Sequence, residues 1–431
     1  MKDVKCVVGG RLIDGTGAKP VDGSIVIIEG ERISTVGKEG EVEVPDGAEV
    51  IDASGKTVMP GLIESHTHPL GERSLEPGLK KYYDNLINSP LLPVLYSVEV
   101  LRKLLGYGVT TARILHGTIP SAPEMRGEWL VALRTAVERG YFPSPRLVVA
   151  GCVFPTAGHI YSMAYPSLIK PGWAGADGPW EVRKQTRLCL AENVDVIKLL
   201  GPTGGGGIGL DGPKVQGCTL EEVQVAVEEA HWKDVMVSAH AHGGPGLRNA
   251  VMGGVDTIEH GTWLYEQPDL IEKMAEDGTY FVPTMGARFH PVYSNYEKAK
   301  QGLLDEESAE KALEAADAIR RSFRMAHEAG VKIAAGTDFM RWDVSPLAWE
   351  LHVYVEEGGM TNMEAIVSAT KIAAEACGLR DVGTVEEERL ADLIVVDGDP
   401  STDIDILQEP SNIDVVMKDG CVQIADGRLN W

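Results

Sequence analysis

Short runs of apolar and β-branched residues alternate with helical patterns through the middle of the chain. The strand-like runs lie at 146–150, 194–200, 235–239, 256–259, 280–283 and 331–335. Between them, Thr219 with Glu222 and Thr361 with Glu364 have the spacing of helix capping boxes. Repeated strand–helix units predict an α/β fold with a parallel sheet, most economically a (β/α)8 TIM-type barrel. A doubly wound open sheet is the alternative.

The two ends of the chain are rich in strand and turn patterns, unlike the middle. Residues 24–28 and 32–36, and residues 391–396 and 413–418, are dominated by aliphatic and β-branched side chains. The simplest arrangement joins both ends in one small β-sandwich domain. We therefore predict a first sandwich part over 1–59, the barrel over 60–384 and a second sandwich part over 385–431.

Acidic residues outnumber basic ones by 64 to 40, which gives a formal net charge of −24. This charge repels phosphate backbones and anionic lipid headgroups, so we expect neither nucleic acid nor membrane as a partner. No run of about 20 apolar residues is present, and the first residues lack the apolar core of a signal peptide. The 6 cysteines form no C-x-x-C pair, so no zinc-ribbon or redox motif is present. Few, unpatterned cysteines in a long chain suggest a reducing compartment. We expect a cytoplasmic protein.

Residues that can bind a metal ion stand where several strand-like runs end. The carboxyl ends of barrel strands meet at one mouth, so such residues converge although they are distant in sequence. They are His66, His68, His240, His260 and Asp338. His66 and His68 are two residues apart, and alternate residues of a strand point to the same side. An H-x-H pair alone is a weak signal, but five residues at matching positions predict a metal site.

Lys198 lies inside the apolar run 194–200. A buried lysine is costly unless its charge is paired or removed. In one interpretation its amine reaches past the strand end to solvent or to a carboxylate. In the other, a neutral amine reacts with CO2 to give a carbamate, whose two oxygens bridge two cations. The residues alone leave both interpretations open.

Several phrases of the sequence resemble motifs of the amidohydrolase superfamily. The similarity is to the branch with imidazolonepropionase and the metal-dependent, prolidase-like Xaa-Pro dipeptidases. The phrases are PGLIESHTH at 60–68, VDVIKLL at 194–200, SAHAHG at 238–243, TIEHG at 257–261, AGTD at 335–338 and ADLIVVDGDP at 391–400. They extend over most of the chain, and its β-rich ends resemble the small flanking sandwich of that superfamily. The motifs specify a substrate much less than they specify the superfamily.

The resemblance implies a binuclear metal centre, with Zn2+ as the expected ion. Its ligands would be His66, His68 and Asp338 for the first, more buried ion, and His240 and His260 for the second. N6-carboxylated Lys198 would bridge the two ions. Asp338 would also take a proton from the bridging water and hand it to the leaving amine. A divalent cation makes hydroxide available at neutral pH, and a carboxylate in contact with the water is well placed for proton transfer.

Other residues are candidates for substrate contacts. His159 lies in FPTAGHI, and a similar loop faces the substrate in prolidase-like relatives. His242 follows His240 by two residues and is a candidate catalytic contact to the substrate carbonyl. Arg288 and His290 follow a strand-like run and are candidates for binding a substrate carboxylate. For each, a purely structural role is the alternative.

One motif differs from the pattern of relatives, and the composition of one long segment points to no ligand. Relatives often read T-V-R-D after the second strand, whereas this chain reads TARI at 111–114. The missing Asp puts substrate contacts from that loop in doubt. The long segment 70–97 is a candidate lid over the site.

The sequence therefore predicts a metal-dependent amidohydrolase that uses a metal-activated bridging hydroxide. Its substrate would be a dipeptide such as Xaa-Pro, an N-acyl amino acid, a carbamate or a urea. The alternative enzyme is a deaminase or cyclic amidohydrolase acting on a heterocyclic C–N bond. Mononuclear deaminases of the superfamily usually carry H-x-x-E near the fifth strand, whereas His240 is followed by Ala241, His242 and Gly243.

A non-catalytic scaffold is a third possibility, against which the retained metal-site residues argue. We expect a small-molecule substrate and a homo-oligomer, since relatives commonly form symmetric assemblies.

Overall fold

The computed structural model describes residues 4–69, 89, 92–115, 127–154, 175–203, 212–338, 346–425 and 428–429. Within these residues the strands form two sheets, one of nine strands and one of seven. The N-terminal strands are β1 (Val4–Leu12), β2 (Val21–Glu29), β3 (Arg32–Lys38), β4 (Glu49–Asp52) and β5 (Thr57–Pro60). The next seven strands are β6 (Leu62–Thr67), β7 (Val109–Ile114), β8 (Arg146–Val153), β9 (Val196–Leu199), β10 (Met236–Ala241), β11 (Thr257–His260) and β12 (Tyr280–Val282). The C-terminal strands are β13 (Leu393–Val396), β14 (Ile413–Lys418), β15 (Cys421–Ala425) and β16 (Arg428–Leu429).

Strands β6 to β12 form a parallel sheet in which spatial order follows chain order. The predicted strand at 331–335 makes a single parallel bridge, between Ile333 and Phe281 of β12. On its other side, the amide of Ser65 in β6 donates to the carbonyl of Ala335 at 3.1 Å. This segment thus takes the place of an eighth strand and nearly closes the barrel, which confirms the predicted TIM-type fold. The doubly wound alternative is wrong, because its strand order reverses at a switch point.

The two ends of the chain share the nine-stranded mixed sheet. Strand β13 from the C-terminal part pairs antiparallel with β5 from the N-terminal part, with Leu393 opposite Pro60. One buried apolar cluster contains residues from both ends of the chain, among them Val7, Val58 and Met417. The predicted small β domain built from both termini is therefore confirmed, while the boundaries 1–59, 60–384 and 385–431 stay predictions.

Helices lie between the barrel strands and after them. They are α1 (Leu92–Gly106), α2 (Glu128–Glu138), α3 (Pro179–Ala191), α4 (Leu220–His231), α5 (Gly244–Met252), α6 (Pro268–Asp277), α7 (Gly286–Phe289), α8 (Asn295–Lys300), α9 (Glu306–Glu328), α10 (Pro346–Val353), α11 (Asn362–Ser368) and α12 (Lys371–Ala376). Both predicted capping boxes are confirmed, at Thr219 with Glu222 and at Thr361 with Glu364. None of the helices in the described part of the chain is long and apolar enough to cross a membrane.

An arginine at the start of β8 links the barrel to the C-terminal strands. Arg146 donates to Oδ2 of Asp392 at 2.5 Å and also binds the carboxylate of Asp419. The side chain of Asp392 is only 2% exposed. Since a buried carboxylate needs a partner, this contact holds the small β domain against the barrel.

We expect Arg146→Ala to lower the free energy of unfolding by about 3–5 kcal/mol, because it leaves a buried carboxylate uncompensated. Urea unfolding followed by circular dichroism measures this difference. Arg32→Ala is the matched control, since Arg32 pairs with Asp381 where the two side chains are 47% and 55% exposed. Arg32→Ala should lower the free energy of unfolding by less than about 1 kcal/mol. Equal unfolding curves for the two variants would contradict the proposed link.

Candidate active site

Three of the predicted metal ligands meet where β6 and the segment 331–335 end. The Nε2 atoms of His66 and His68 are 3.3 Å apart. Oδ1 of Asp338 lies 3.0 Å from Nε2 of His68 and 3.5 Å from Nε2 of His66. The structure thus brings together the three residues expected to bind the first ion.

A second group of imidazoles lies beside the first, at the ends of β10 and β11. The ring centroids of His240 and His260 are 4.6 Å apart, and those of His66 and His260 are 5.1 Å apart. His242 joins this group, with its ring stacked 4.7 Å from that of His260. The ligand atoms of His240, His242 and His260 lie within 4.8 Å of one another, as do those of His66, His260 and Asp338. His260 is therefore common to both groups.

Lys198 lies in β9, where it pairs with Ser238 of β10 and Cys152 of β8. Lys198 is 1% exposed, and its Nζ has no hydrogen-bond partner among the described residues. Burial lowers the pKa of Lys198 to about 8, against the opposing charges of Glu259 and Asp338. A substantial fraction of the amine is therefore neutral near pH 8, and a neutral amine is the form that reacts with CO2. This orphaned buried nitrogen supports the carbamate interpretation.

The donor set of the two groups fits a divalent metal ion. Burial, together with the charge of Lys198, lowers the pKa of His66 to about 4. Burial and the neighbouring His240 lower the pKa of His260 well below its usual value. Both rings are therefore neutral at pH 7, which is the form that binds a metal. Imidazole nitrogen and carboxylate oxygen are donors that zinc accepts.

A buried carboxylate fixes the orientation of His66. Oε2 of Glu259 lies 2.6 Å from Nδ1 of His66, which leaves Nε2 facing the other ligands. Oε1 of Glu259 accepts hydrogen bonds from Arg113, Ser238 and Thr257 at 3.0, 2.7 and 2.6 Å. Burial alone raises the pKa of Glu259, but Arg113 and His66 outweigh it and hold the pKa far below its usual range. Glu259 is thus a permanent anion beneath the site.

Threonine hydroxyls orient two further imidazoles. Oγ1 of Thr284 lies 2.8 Å from Nδ1 of His260, and Oγ1 of Thr262 lies 2.9 Å from Nδ1 of His242. Because one ring nitrogen of each histidine is engaged, the other is left for the centre of the group.

Three residues at this mouth have a left-handed backbone conformation. His260, Thr284 and Asp338 have φ values of 73°, 51° and 51°. Such values cost free energy for residues other than glycine and are frequent at functional sites. Before Asp338, Gly336 passes so close to β6 that a Cβ would lie 2.8 Å from the amide nitrogen of His66. The AGTD phrase therefore allows the turn that aims Asp338 at the histidines.

Glu64 ties the two ligand-bearing segments together. Its Oε1 accepts from the amide of His66 at 2.9 Å and from the amide of Thr337 at 3.0 Å. Thr337 directly precedes Asp338, so one carboxylate sets the distance between β6 and the turn that carries Asp338.

The remaining predicted contacts have different surroundings. Nδ1 of His290 accepts from the amides of Val292 and Tyr293 at 3.2 and 3.4 Å, which is a structural use of this ring. Arg288 is half-buried on α7. His159 lies outside the described residues. The substrate roles of His159, Arg288 and His290 stay predictions.

The candidate lid at 70–97 is described only in part. Residues 92–97 open helix α1, and residues 70–88, 90 and 91 lie outside the described residues. Its role as a lid stays a prediction.

The residues that orient the ligands were missed by the sequence analysis. They are Glu64, Arg113, Glu259, Thr262 and Thr284. A signal existed for three of them, since Glu64, Arg113 and Glu259 are charged residues within apolar strands, and such residues need a partner. The hydroxyls of Thr262 and Thr284 carry no comparable signal.

Comparison with known proteins agrees with this geometry. The profile of the amidohydrolase family matches residues 57–422. Ochratoxinase from Aspergillus niger is 30% identical over an alignment of 452 positions, which covers 99% of this chain and 88% of that one. Its crystal structure superimposes with a TM-score of 0.84 at 28% identity, covering 98% of this chain and 96% of the other.

Two further relatives match the branch suggested by the motifs. The crystal structure of a Xaa-Pro dipeptidase with bound methionine has a TM-score of 0.83 at 31% identity, covering 97% of this chain and 99% of the other. Imidazolonepropionase from Anaeromyxobacter dehalogenans is 48% identical over 63 residues, 14% of this chain and 15% of that one. The chain therefore belongs to the amidohydrolase family and is a hydrolase acting on amide-type C–N bonds.

Proposed function

We propose that this protein is a metal-dependent hydrolase of a dipeptide such as Xaa-Pro, an N-acyl amino acid, a carbamate or a urea. The observation that carries the proposal is the pair of ligand groups that share His260, together with the buried amine of Lys198, which has no hydrogen-bond partner among the described residues. Relatives named ochratoxinase and Xaa-Pro dipeptidase support amide-type substrates. We further propose a cytoplasmic homo-oligomer.

In this proposal the chain holds two divalent ions, which we take to be Zn2+. His66, His68 and Asp338 would hold the first ion, and His240 and His260 the second. N6-carboxylated Lys198 would bridge them. When bound, such ions supply Lewis acidity, which lowers the pKa of a bound water from 15.7 to about 7 and polarises a carbonyl.

Asp338 is the proposed proton carrier. Burial raises the pKa of this carboxyl, but the hydrogen bond with His68 and the electrostatic interaction with His66 outweigh burial, and the pKa is about 2. Asp338 is therefore an anion at neutral pH. It can accept a proton from the attacking water at a carboxylate oxygen and donate that proton to the leaving nitrogen.

His242 is the proposed contact to the substrate carbonyl. When its Nδ1 accepts the hydroxyl proton of Thr262, its Nε2 carries a proton and faces the centre of the site. A donor in this position stabilises negative charge on the carbonyl oxygen as the water attacks. His159, Arg288 and His290 remain the other proposed substrate contacts.

Metal analysis combined with a substrate panel tests the proposed function. We expect about two zinc ions per chain and hydrolysis of a member of a panel of dipeptides, N-acyl amino acids, carbamates and ureas. Exhaustive chelation should abolish turnover, and added zinc should restore it. Full turnover after chelation would contradict the proposal. One ion per chain with ammonia release from a cyclic amidine would favour the deaminase instead.

Lys198→Ala should lose most of the bound zinc, because the bridging ligand is removed. Added short carboxylates such as acetate or propionate should restore part of the activity by occupying the vacated volume. Zinc content by plasma mass spectrometry and turnover measure both effects. Lys311→Ala is the control, since the side chain of Lys311 is 72% exposed. A Lys198→Ala protein with full zinc content and turnover would disprove the bridging role.

Asp338→Asn should lower kcat by about 10²–10⁴-fold, the usual contribution of a positioned acid–base group. The amide keeps an oxygen donor in place but no longer accepts a proton at neutral pH. Zinc content and kcat should be measured on the same preparation, so that loss of metal is separated from loss of proton transfer. Asp317→Asn on α9, where the side chain is 66% exposed, is the control. An unchanged kcat would assign proton transfer to another residue.

A further inference from the structure

The side chain of Arg288, on the segment that follows β12, has no hydrogen-bond or ion-pair partner among the described residues. Arg288 lies on α7, which begins two residues after Thr284, the residue that contacts His260. It is half-buried. Throughout the described part of the chain, no hydrogen bond or ion pair engages its guanidinium. By contrast, Arg113 and Arg320 are paired with Glu259 and Glu357.

The turn that carries Arg288 is clamped by helix α10. Both oxygens of Glu350 accept backbone amides, from Met285 at 2.6 Å and from Gly286 at 2.5 Å. Nε1 of Trp349 donates to the carbonyl of Gly286 at 2.9 Å. The carboxyl group of Glu350 therefore binds the backbone of this turn and not the guanidinium of Arg288. A side chain presented by an anchored turn loses less freedom on binding a ligand.

The guanidinium of Arg288 is positively charged, and the negative charge of Asp338 favours this form. Burial lowers the pKa of Arg288 to about 10, and the opposing charge is that of Asp338. Arg288 is therefore a cation at neutral pH. A half-buried cation without a partner among the described residues loses part of its hydration at a cost in free energy. A planar guanidinium matches a carboxylate through two parallel hydrogen bonds.

Only some of the proposed substrate classes carry a carboxylate that could pair with the guanidinium of Arg288. Dipeptides and N-acyl amino acids have a carboxylate one carbon away from the scissile nitrogen, whereas simple carbamates and ureas have none. A chain with a net charge of −24 repels anions at long range, so an anionic substrate needs a local cation.

We propose that Arg288 binds the carboxylate of the substrate and thereby selects N-acyl amino acids and dipeptides over carbamates and ureas. This inference rests on the proposed function and narrows it.

Matched pairs of substrates test the role of Arg288. Glycyl-L-proline and N-benzoyl-L-phenylalanine are compared with their C-terminal amides, which keep the scissile bond and lose the carboxylate. In the wild-type holoenzyme, kcat/KM for at least one acid should exceed that for its amide. Arg288→Gln should lower kcat/KM for that acid by roughly 10- to 100-fold, mainly through KM. Activity on the amide should change by less than about threefold, so the preference for the acid disappears.

Two further variants separate anchoring from a structural effect. Arg288→Lys keeps the charge but not the two parallel hydrogen bonds, so it should restore part of the preference. Arg321→Gln, at a side chain that is 55% exposed on α9, should leave both substrates unaffected. A collapse of α7 would instead lower activity on acid and amide equally. Equal losses, or a wild-type enzyme that favours the amides, would overturn the proposal.

A binding measurement keeps the inference separate from the proposed function. If the wild-type enzyme hydrolyses no member of the panel, the proposed function fails. Calorimetric titration of zinc-loaded protein with N-benzoyl-L-phenylalanine then tests the anchor alone. Binding that Arg288→Gln weakens by roughly 10-fold or more supports it. Equal binding by both proteins, or no binding by the wild type, overturns it.

Discussion

The buried contact of Glu259 with Arg113 and His66 is the interaction on which the site depends. Glu259 on β11 binds Arg113 from β7, Ser238 from β10 and His66 from β6. One carboxylate thus joins four strands across the inside of the barrel. Its desolvation is offset by the guanidinium and the hydroxyls, so it stays ionised. The ring of His66 is fixed as a consequence, and its free nitrogen faces the remaining ligands.

The mouth of the barrel is formed by turns whose backbone conformations are unusual at strand ends. His260, Thr284 and Asp338 all have positive φ, and each follows or ends a different segment of the barrel wall. The strain is sustained because the surrounding hydrogen bonds determine these turns. Rigid placement of ligands in advance lowers the cost of organising them around an ion or a substrate. The same logic extends to α7, where Glu350 holds the turn that carries Arg288.

Much of the fold was predictable because parallel barrel strands are buried on both faces and read as continuous apolar runs. The run 331–335 was predicted as a strand, but it forms a single bridge, and the amide of Ala335 donates to the carbonyl of Ser368 rather than to β6. The convergence of the metal ligands was predictable because they stand at the ends of strands. The place of His242 beside His240 and His260 depends instead on how the rings pack. The sequence analysis named no role for Arg113, because it considered only the Asp that is missing after it. Its pairing with Glu259, 146 residues away, follows from barrel closure rather than local pattern.

Anomalous diffraction at the zinc absorption edge, from crystals of zinc-loaded protein, tests the central claim most directly. The account predicts two anomalous peaks at this mouth. One should lie among His66, His68 and Asp338 and the other between His240 and His260, with density continuous from Nζ of Lys198 to both. Peaks elsewhere on the protein, or none at this mouth, would contradict it.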